Sequence, residues 1–292
     1  MLWFNALLSI LKYLLKSGKF KKFDARIGPD KTWWILGNGP SLRQVLPLIP
    51  VEPNNHAFCV VNYFAFSDDF ARLRPSAYVL SAPELTYMPE EDIPNEIILD
   101  KRRLYQALTE MTQWPMSLFV PFPTLKKPWF KNLLRSNPNI HGIEYNSTPL
   151  EGPTGFCNFA IDHGWGMPRP HNVLIPALAI ALRSKANKVF MMGAEHSWIK
   201  TLTVNDNNVV LLDHQHFYDP GKQVATMDHS TFRPRRLHEV LQKFLYSFQS
   251  YWVLAEYSEK KQIQVLNLTP DSYIDAFKKM PFDPGLFQNN QN

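Results

Sequence analysis

The chain has 292 residues, 45% of them hydrophobic and 20% charged, with 20 Phe and 8 Trp. This is the composition of a globular protein able to bury a sizeable core. Its formal net charge of +5 suits an anionic ligand or a membrane surface but is too mild for a nucleic-acid footprint, so no nucleic-acid partner is expected. The only cysteines, Cys59 and Cys157, lie in apolar surroundings, which excludes a disulfide scaffold and a thiolate metal site and fits the cytoplasm.

The first segment, LWFNALLSILKYLLK, sets Asn5, Ser9, Lys12 and Lys16 at helical spacing and leaves the rest of the cylinder apolar. It is too short to span a bilayer comfortably. Its lysines follow the apolar stretch instead of preceding it, unlike a signal peptide. Residues 1–28 therefore read as an amphipathic helix with a basic collar, lying peripherally on the inner face of the cytoplasmic membrane. A helix docked on the protein's own core, or against a second copy in a homo-oligomer, is the alternative.

From Thr32 onward β-prone runs alternate with helical ones. TWWIL, AFCVVN, AYVLSA, MSLFVP, IHGIEY, KVFMMGA and IQVLNL read as strands, several of them continuously apolar, as strands covered on both faces are. Helices are expected near 41–48, 100–112, 129–136, 171–184 and 234–259. The alternation predicts one Rossmann-like α/β domain over residues 30–280, a mostly parallel sheet with helices on both faces. Residues 146–170 read as a long ordered loop. A lid-like insertion at about 196–233 opens with a hairpin, and 281–292 reads as a flexible tail.

The first strand runs into Gly37-Asn38-Gly39-Pro40-Ser41. In an open parallel sheet, ligands bind beyond the carboxyl ends of the strands. Glycine and asparagine tolerate left-handed backbone, Pro40 suits a first helical turn, and the unpaired N–H groups of a helix start favour an anion. The turn is thus expected to hold a phosphate or nucleotide. It lacks the third glycine of the dinucleotide fingerprint and the Gly-Lys-Ser/Thr of a P-loop.

GNGPSL after an apolar first strand resembles the opening motif of the bacterial sialyltransferases of glycosyltransferase family 42. It also resembles the wider Rossmann group related to the 6-hydroxymethylpterin pyrophosphokinases. The likeness continues at CVVNYF, where Asn62 matches an asparagine beside the nucleotide sugar. YVLSAPEL has Ser81-Ala82 where those enzymes carry asparagine. KVFMMGAE places Gly193 and Glu195 at the ribose position, with Glu in place of the family's Asp, and VLNLTPDS matches the closing strand and turn. The family's Arg-x-Thr-Ser is replaced by Arg169-Pro170-His171-Asn172. Ser197 and Trp198 stand near where two phosphate-gripping tyrosines would be, and Tyr218 is the nearest substitute.

Glycosyl transfer needs a base for the acceptor hydroxyl, and histidine serves near neutral pH. His196, His214, His216 and His229 share one window. The resemblance implies that the base is His229, in DHS, or His216, in HFYD, with His229 favoured by register. His171, Asn172, His196, Tyr218 and Arg233 are candidates to line the same cleft. The expected activity is transfer of sialic acid or a similar acidic sugar from a CMP-sugar donor to a cell-surface glycan or glycolipid acceptor. No cofactor and no obligatory metal are implied. The alternatives are a pyrophosphokinase-like phosphotransferase using ATP and Mg, or a non-catalytic membrane-bound Rossmann protein of glycan assembly.

Overall fold

The computed structural model describes residues 2–19, 23–51, 55–217, 219–228 and 233–287, with the backbone alone for 213–216 and 219–224. The chain opens with helix α1 (Leu2–Lys16). Strand β1 (Thr32–Leu36), short helix α2 (Leu42–Val45), β2 (His56–Val61), α3 (Asp69–Leu73) and β3 (Ala77–Val79) follow. Next come α4 (Asn95–Met111), β4 (Met116–Pro121), α5 (Pro128–Ser136) and β5 (Ile140–Tyr145). Two successive helices, α6 (Thr154–Asp162) and α7 (Leu174–Arg183), lead to β6 (Lys188–Met192). A small antiparallel sheet, β7 (Thr203–Val204), β8 (Val210–His216) and β9 (Asp219–Ala225), precedes the long helix α8 (Leu237–Lys260). Strands β10 (Gln264–Asn267) and β11 (Lys278–Lys279) finish the main sheet.

The main sheet has eight strands in the order β11-β10-β6-β1-β2-β3-β4-β5, and every pairing is parallel. The expected Rossmann-like α/β architecture is present. Alternate side chains of each strand enter opposite cores. Trp33, Ile35, Cys59 and Val61 pack with α6, α7 and α8 on one face. Trp34, Leu36, Phe58 and Val60 pack with α2, α4 and α5 on the other. Both faces being covered is why these runs are apolar throughout. Helix α7 is buried from Leu174 to Leu182, which its all-round apolar sequence requires.

Three expectations need correction. Residues 154–162, inside the expected loop, form α6, because Pro153 starts a helix whose Ala160 and Ile161 reach the core. The expected hairpin gains a third strand, β9, paired antiparallel with β8. The tail is not loose through Phe287: Phe282 and Phe287 pack on the second core, and Phe287 stacks on Trp34 with ring centroids 4.1 Å apart.

Helix α1 docks through its small and polar side. Ser9 donates from its hydroxyl to the Glu151 carbonyl at 3.0 Å and accepts the Glu151 N–H at 2.9 Å. Tyr13 stacks on Trp165 at 5.0 Å. Ser17 meets the Thr148 hydroxyl, and Gly18 N–H donates to Asn146 Oδ1 at 2.8 Å. Gly152 lies so close that a Cβ there would stand 2.9 Å from the Ala6 Cβ. Trp3, Phe4, Leu7, Leu8, Leu11, Leu14 and Leu15 are all exposed, Trp3 by 75% and Leu15 by 74%. At about 100° per residue these seven cover roughly 140° of the cylinder. The helix does not bury its apolar face on its own core. Among the described residues no helix is long and apolar enough to cross a membrane.

Candidate functional site

Strand order reverses at β1: the chain runs outward through β2 to β5, then returns with β6 on the other side of β1. Ligands bind such sheets at that switch point, beyond the carboxyl ends of the strands. The ends concerned carry Gly37–Ser41 and Gly193–Glu195, the two segments singled out in the sequence.

The two turns are laced together. Gly37 N–H donates to the Met192 carbonyl at 2.8 Å, and Gly39 N–H to the Gly193 carbonyl at 2.9 Å. A Cβ at Gly37 would stand 2.3 Å from the Gly193 carbonyl oxygen. Gly193 has φ +63°, a left-handed angle that glycine adopts without strain. Ser41 N–H donates to Glu195 Oε1 at 2.6 Å, and a Cβ at Gly39 would collide with Oε2 of the same carboxylate. The glycines therefore serve close backbone approach and make room for Glu195.

This corrects the expected role of Gly37, Gly39 and Ser41 as a phosphate cradle. Their N–H groups are taken by two carbonyls and a carboxylate, and α2, four residues long, offers little dipole. An anion placed there would meet the negative charge of Glu195 instead of free donors.

Beside this turn lies a cavity of about 220 Å³, below the usual volume of a small-molecule pocket. Asn38, Gly39, Asn62, Asn172, Gly193, Glu195 and His196 all line it, so seven of the singled-out residues converge there. Four polar atoms of these residues are buried without a hydrogen-bond partner among the described residues: Asn38 Oδ1, Asn62 Oδ1, Glu195 Oε2 and Asn172 Nδ2. Two amides are oriented by their other atom. Asn38 Nδ2 donates to the Val61 carbonyl at 3.2 Å. Asn172 Oδ1 accepts from Leu174 N–H at 2.9 Å and from the Tyr251 hydroxyl at 3.0 Å. Asn62 is held at φ +47°, its carbonyl accepting the Tyr78 hydroxyl, in a conformation asparagine tolerates better than most residues. Four orphaned atoms around one cavity are costly unless a ligand or water completes them.

His196, in left-handed backbone at φ +51°, is buried between Trp198 (ring centroids 4.2 Å apart) and Tyr251. Its Nε2 lies 2.7 Å from the Tyr251 hydroxyl. Since the single Tyr251 proton goes to Asn172, His196 supplies an Nε2–H to Tyr251 and keeps Nδ1 as an acceptor. Burial lowers its pKa to about 3, so at neutral pH it is an uncharged positioning group and a poor base. Tyr251, on α8, was invisible as a site residue because its partners are distant in the chain.

The insertion reaches the cavity at the end of β8. Phe217 N–H donates to the Asn38 carbonyl at 3.0 Å, and Arg43 Nε to the Phe217 carbonyl at 2.7 Å. The Phe217 ring packs on Phe64 at 5.3 Å. The backbone of His216, which ends β8, is thereby one residue from the glycine turn. His229 and Tyr218 lie outside the described residues.

Other expected residues sit elsewhere. The Ser81 side chain pairs with the Tyr145 hydroxyl beneath the β3 end. Arg233 is exposed and binds Glu239 at 2.6 and 3.1 Å, where Glu239 also closes the start of α8. His171 lies just beyond the lining, stacked on Tyr246 at 5.4 Å. The lining that sequence reasoning placed only loosely, Ser197 and Trp198, follows His196 directly. Among the described residues no three His, Cys, Asp or Glu side chains gather as a metal-ligating group.

These imidazoles have a measurable consequence. His196 is lowered to about 3 and His171 to about 4, in both cases chiefly by burial. The unfolded chain takes up protons near pH 6.5 that the folded chain refuses, so stability is full above about pH 6.5 and falls as pH drops toward 4. Urea denaturation is expected to show a loss of about 2–3 kcal/mol from His196 between pH 7 and pH 4.5, and His196→Phe should flatten that slope. An unchanged slope would contradict the buried neutral imidazole. No family model and no curated protein sequence matches this chain.

Proposed function

We propose that the protein is a membrane-associated glycosyltransferase that moves sialic acid or a similar acidic sugar from a CMP-linked donor to a glycan or glycolipid acceptor. One observation carries the reading: three acceptors and one donor, unpaired among the described residues, converge on a single cavity at the switch point. Ribose hydroxyls and the cytosine amine are donors that such a set satisfies. A phosphate, all acceptor, is not. The carboxylate in the glycine turn argues in the same direction against an ATP-dependent phosphotransferase, whose polyphosphate it would repel.

In this reading Glu195 and Asn62 take the ribose and base donors, and Asn172, held by Tyr251, supplies a donor in return. The acceptor hydroxyl loses its proton to His216, whose chain neighbour Phe217 is hydrogen-bonded to Asn38 of the turn, with His229 as the alternative base. The exposed face of α1, with Lys12, Lys16 and Lys19 beside it, would keep the enzyme on the anionic inner surface of the cytoplasmic membrane, next to a lipid-linked acceptor.

Titration calorimetry with cytidine, CMP and purine nucleotides tests the donor. Cytidine and CMP are expected to bind, and CMP at 100 times its Kd should stabilise the fold by about 2.7 kcal/mol. His216→Ala should keep CMP affinity while slowing transfer by about 10²–10⁴-fold. Binding of purine nucleotides with none of cytidine or CMP would overturn the assignment.

A further inference from the structure

The cavity satisfies a nucleoside and leaves the ligand's anion unaccounted for, since the turn expected to hold it is occupied by Glu195. Beyond cavity-lining Asn172 come a histidine and three basic side chains. His171, the residue before cavity-lining Asn172, stacks on Tyr246 of α8 with planes 13° apart. The guanidinium of Arg169 lies 4.4 Å from the centre of the same ring. Lys243 is one helical turn before Tyr246, and Arg235 stands just before α8 with its side chain 19% exposed.

Two of these cations have counter-ions. Arg169 pairs with Glu151 at 2.5 Å and Arg235 with Asp228 at 3.0 Å. Lys243 has neither an ion pair nor a side-chain hydrogen bond among the described residues, although it is partly buried. Its pKa is lowered, first by burial and then by Arg235, while Glu84 and Asp228 act the other way. His171 Nε2 is buried with no partner among the described residues, and Lys243, Arg169 and Arg235 are the charges acting on that ring. An ammonium crowded by other cations and holding no ion pair among the described residues is poorly compensated where it stands, and a bound oxyanion would relieve it.

We propose that Lys243, with Arg235, Arg169 and His171 Nε2, forms an oxyanion subsite beside the nucleoside cavity, which takes either the phosphate or the sugar carboxylate of the donor. The subsite rests on the nucleotide-sugar reading for its role but not for its chemistry. Lys243 contributes a point charge to the anion, and His171 a ring nitrogen whose Nε2–H tautomer can donate to it.

The test uses the full chain in buffer free of phosphate and sulfate, with inorganic phosphate and free sialic acid as separate probes. Wild type is expected to bind at least one of them, and Lys243→Met to bind it at least tenfold more weakly. Lys243→Arg should restore most of the affinity. Whichever probe responds identifies the anion. The fold of Lys243→Met should be as stable as wild type or more so, because an uncompensated charge is removed; Lys243→Gln is the second variant should Met misfold. Equal anion affinity in wild type and variant, or no binding of either probe by wild type, overturns the subsite. Cytidine titrated in parallel separates the two ideas: cytidine binding with no effect of Lys243 sinks the subsite alone. Lys243-dependent anion binding without cytidine binding sinks the nucleoside cavity alone.

Discussion

Gly37→Ala is expected to lower stability by about 3 kcal/mol or more, at the upper end of what overpacking costs. The added methyl would stand 2.3 Å from the Gly193 carbonyl oxygen and 3.0 Å from its carbon. Both are backbone atoms in a turn paired to β1, so neither can swing aside as a side-chain end would. The strand ends must part, breaking the Gly37–Met192 and Gly39–Gly193 hydrogen bonds. At about 2–4 °C per kcal/mol for a chain of this size, the midpoint should fall by about 6–12 °C. CMP binding should fall with it, because Gly193 and Glu195 line the cavity. Gly155→Ala is the control. It lies in α6 with nothing within 4 Å of the new methyl, and alanine there should cost nothing. If the two variants melt within about 2 °C of each other, the two turns are not packed as described.

The second large effect concerns α1. Leu7→Glu with Leu11→Glu should abolish sedimentation with anionic vesicles while leaving the melting temperature unchanged. Both residues are exposed, by 62% and 51%, so the fold loses little. Burying a leucine in an apolar phase is worth about 1.5–3 kcal/mol. Removing two, and adding two negative charges at an anionic surface, should weaken partition at least 100-fold. Wild-type binding should also weaken with salt, because Lys12, Lys16 and Lys19 contribute through a screened field. A double variant that still sediments would refute the membrane role. A wild type that is dimeric without vesicles and becomes monomeric in the variant would assign the face to a second copy of the chain.

Strands β1, β4 and β5 were legible to the residue: β1 and β4 as apolar runs with no other stable use in a doubly covered sheet, and half-buried β5 as a run of β-branched and aromatic residues between turn residues. The convergence of Asn38, Asn62, Glu195 and Asn172 was legible in outline, since the switch-point rule needs only the strand alternation. Helix α6 was not: Gly152, Pro153 and Gly155 mark a loop by local propensity, and the burial of Ala160 and Ile161 overrides that preference. Phe282 and Phe287 likewise found a core that a polar chain end concealed.

The sequence by itself determined that α1 has an apolar and a polar side, that two glycines meet at the end of the first strand, and that a parallel sheet has its binding edge there. These are properties of periodicity and of backbone sterics, and they act over a few residues. The tertiary structure decided what each feature faces. It turned the apolar side of α1 outward by giving Ser9 and Tyr13 better partners on the 148–165 segment. It filled the glycine turn with a carboxylate from a residue 154 positions away. A hydrophobic pattern specifies a surface; only the rest of the packed chain supplies the group that meets it.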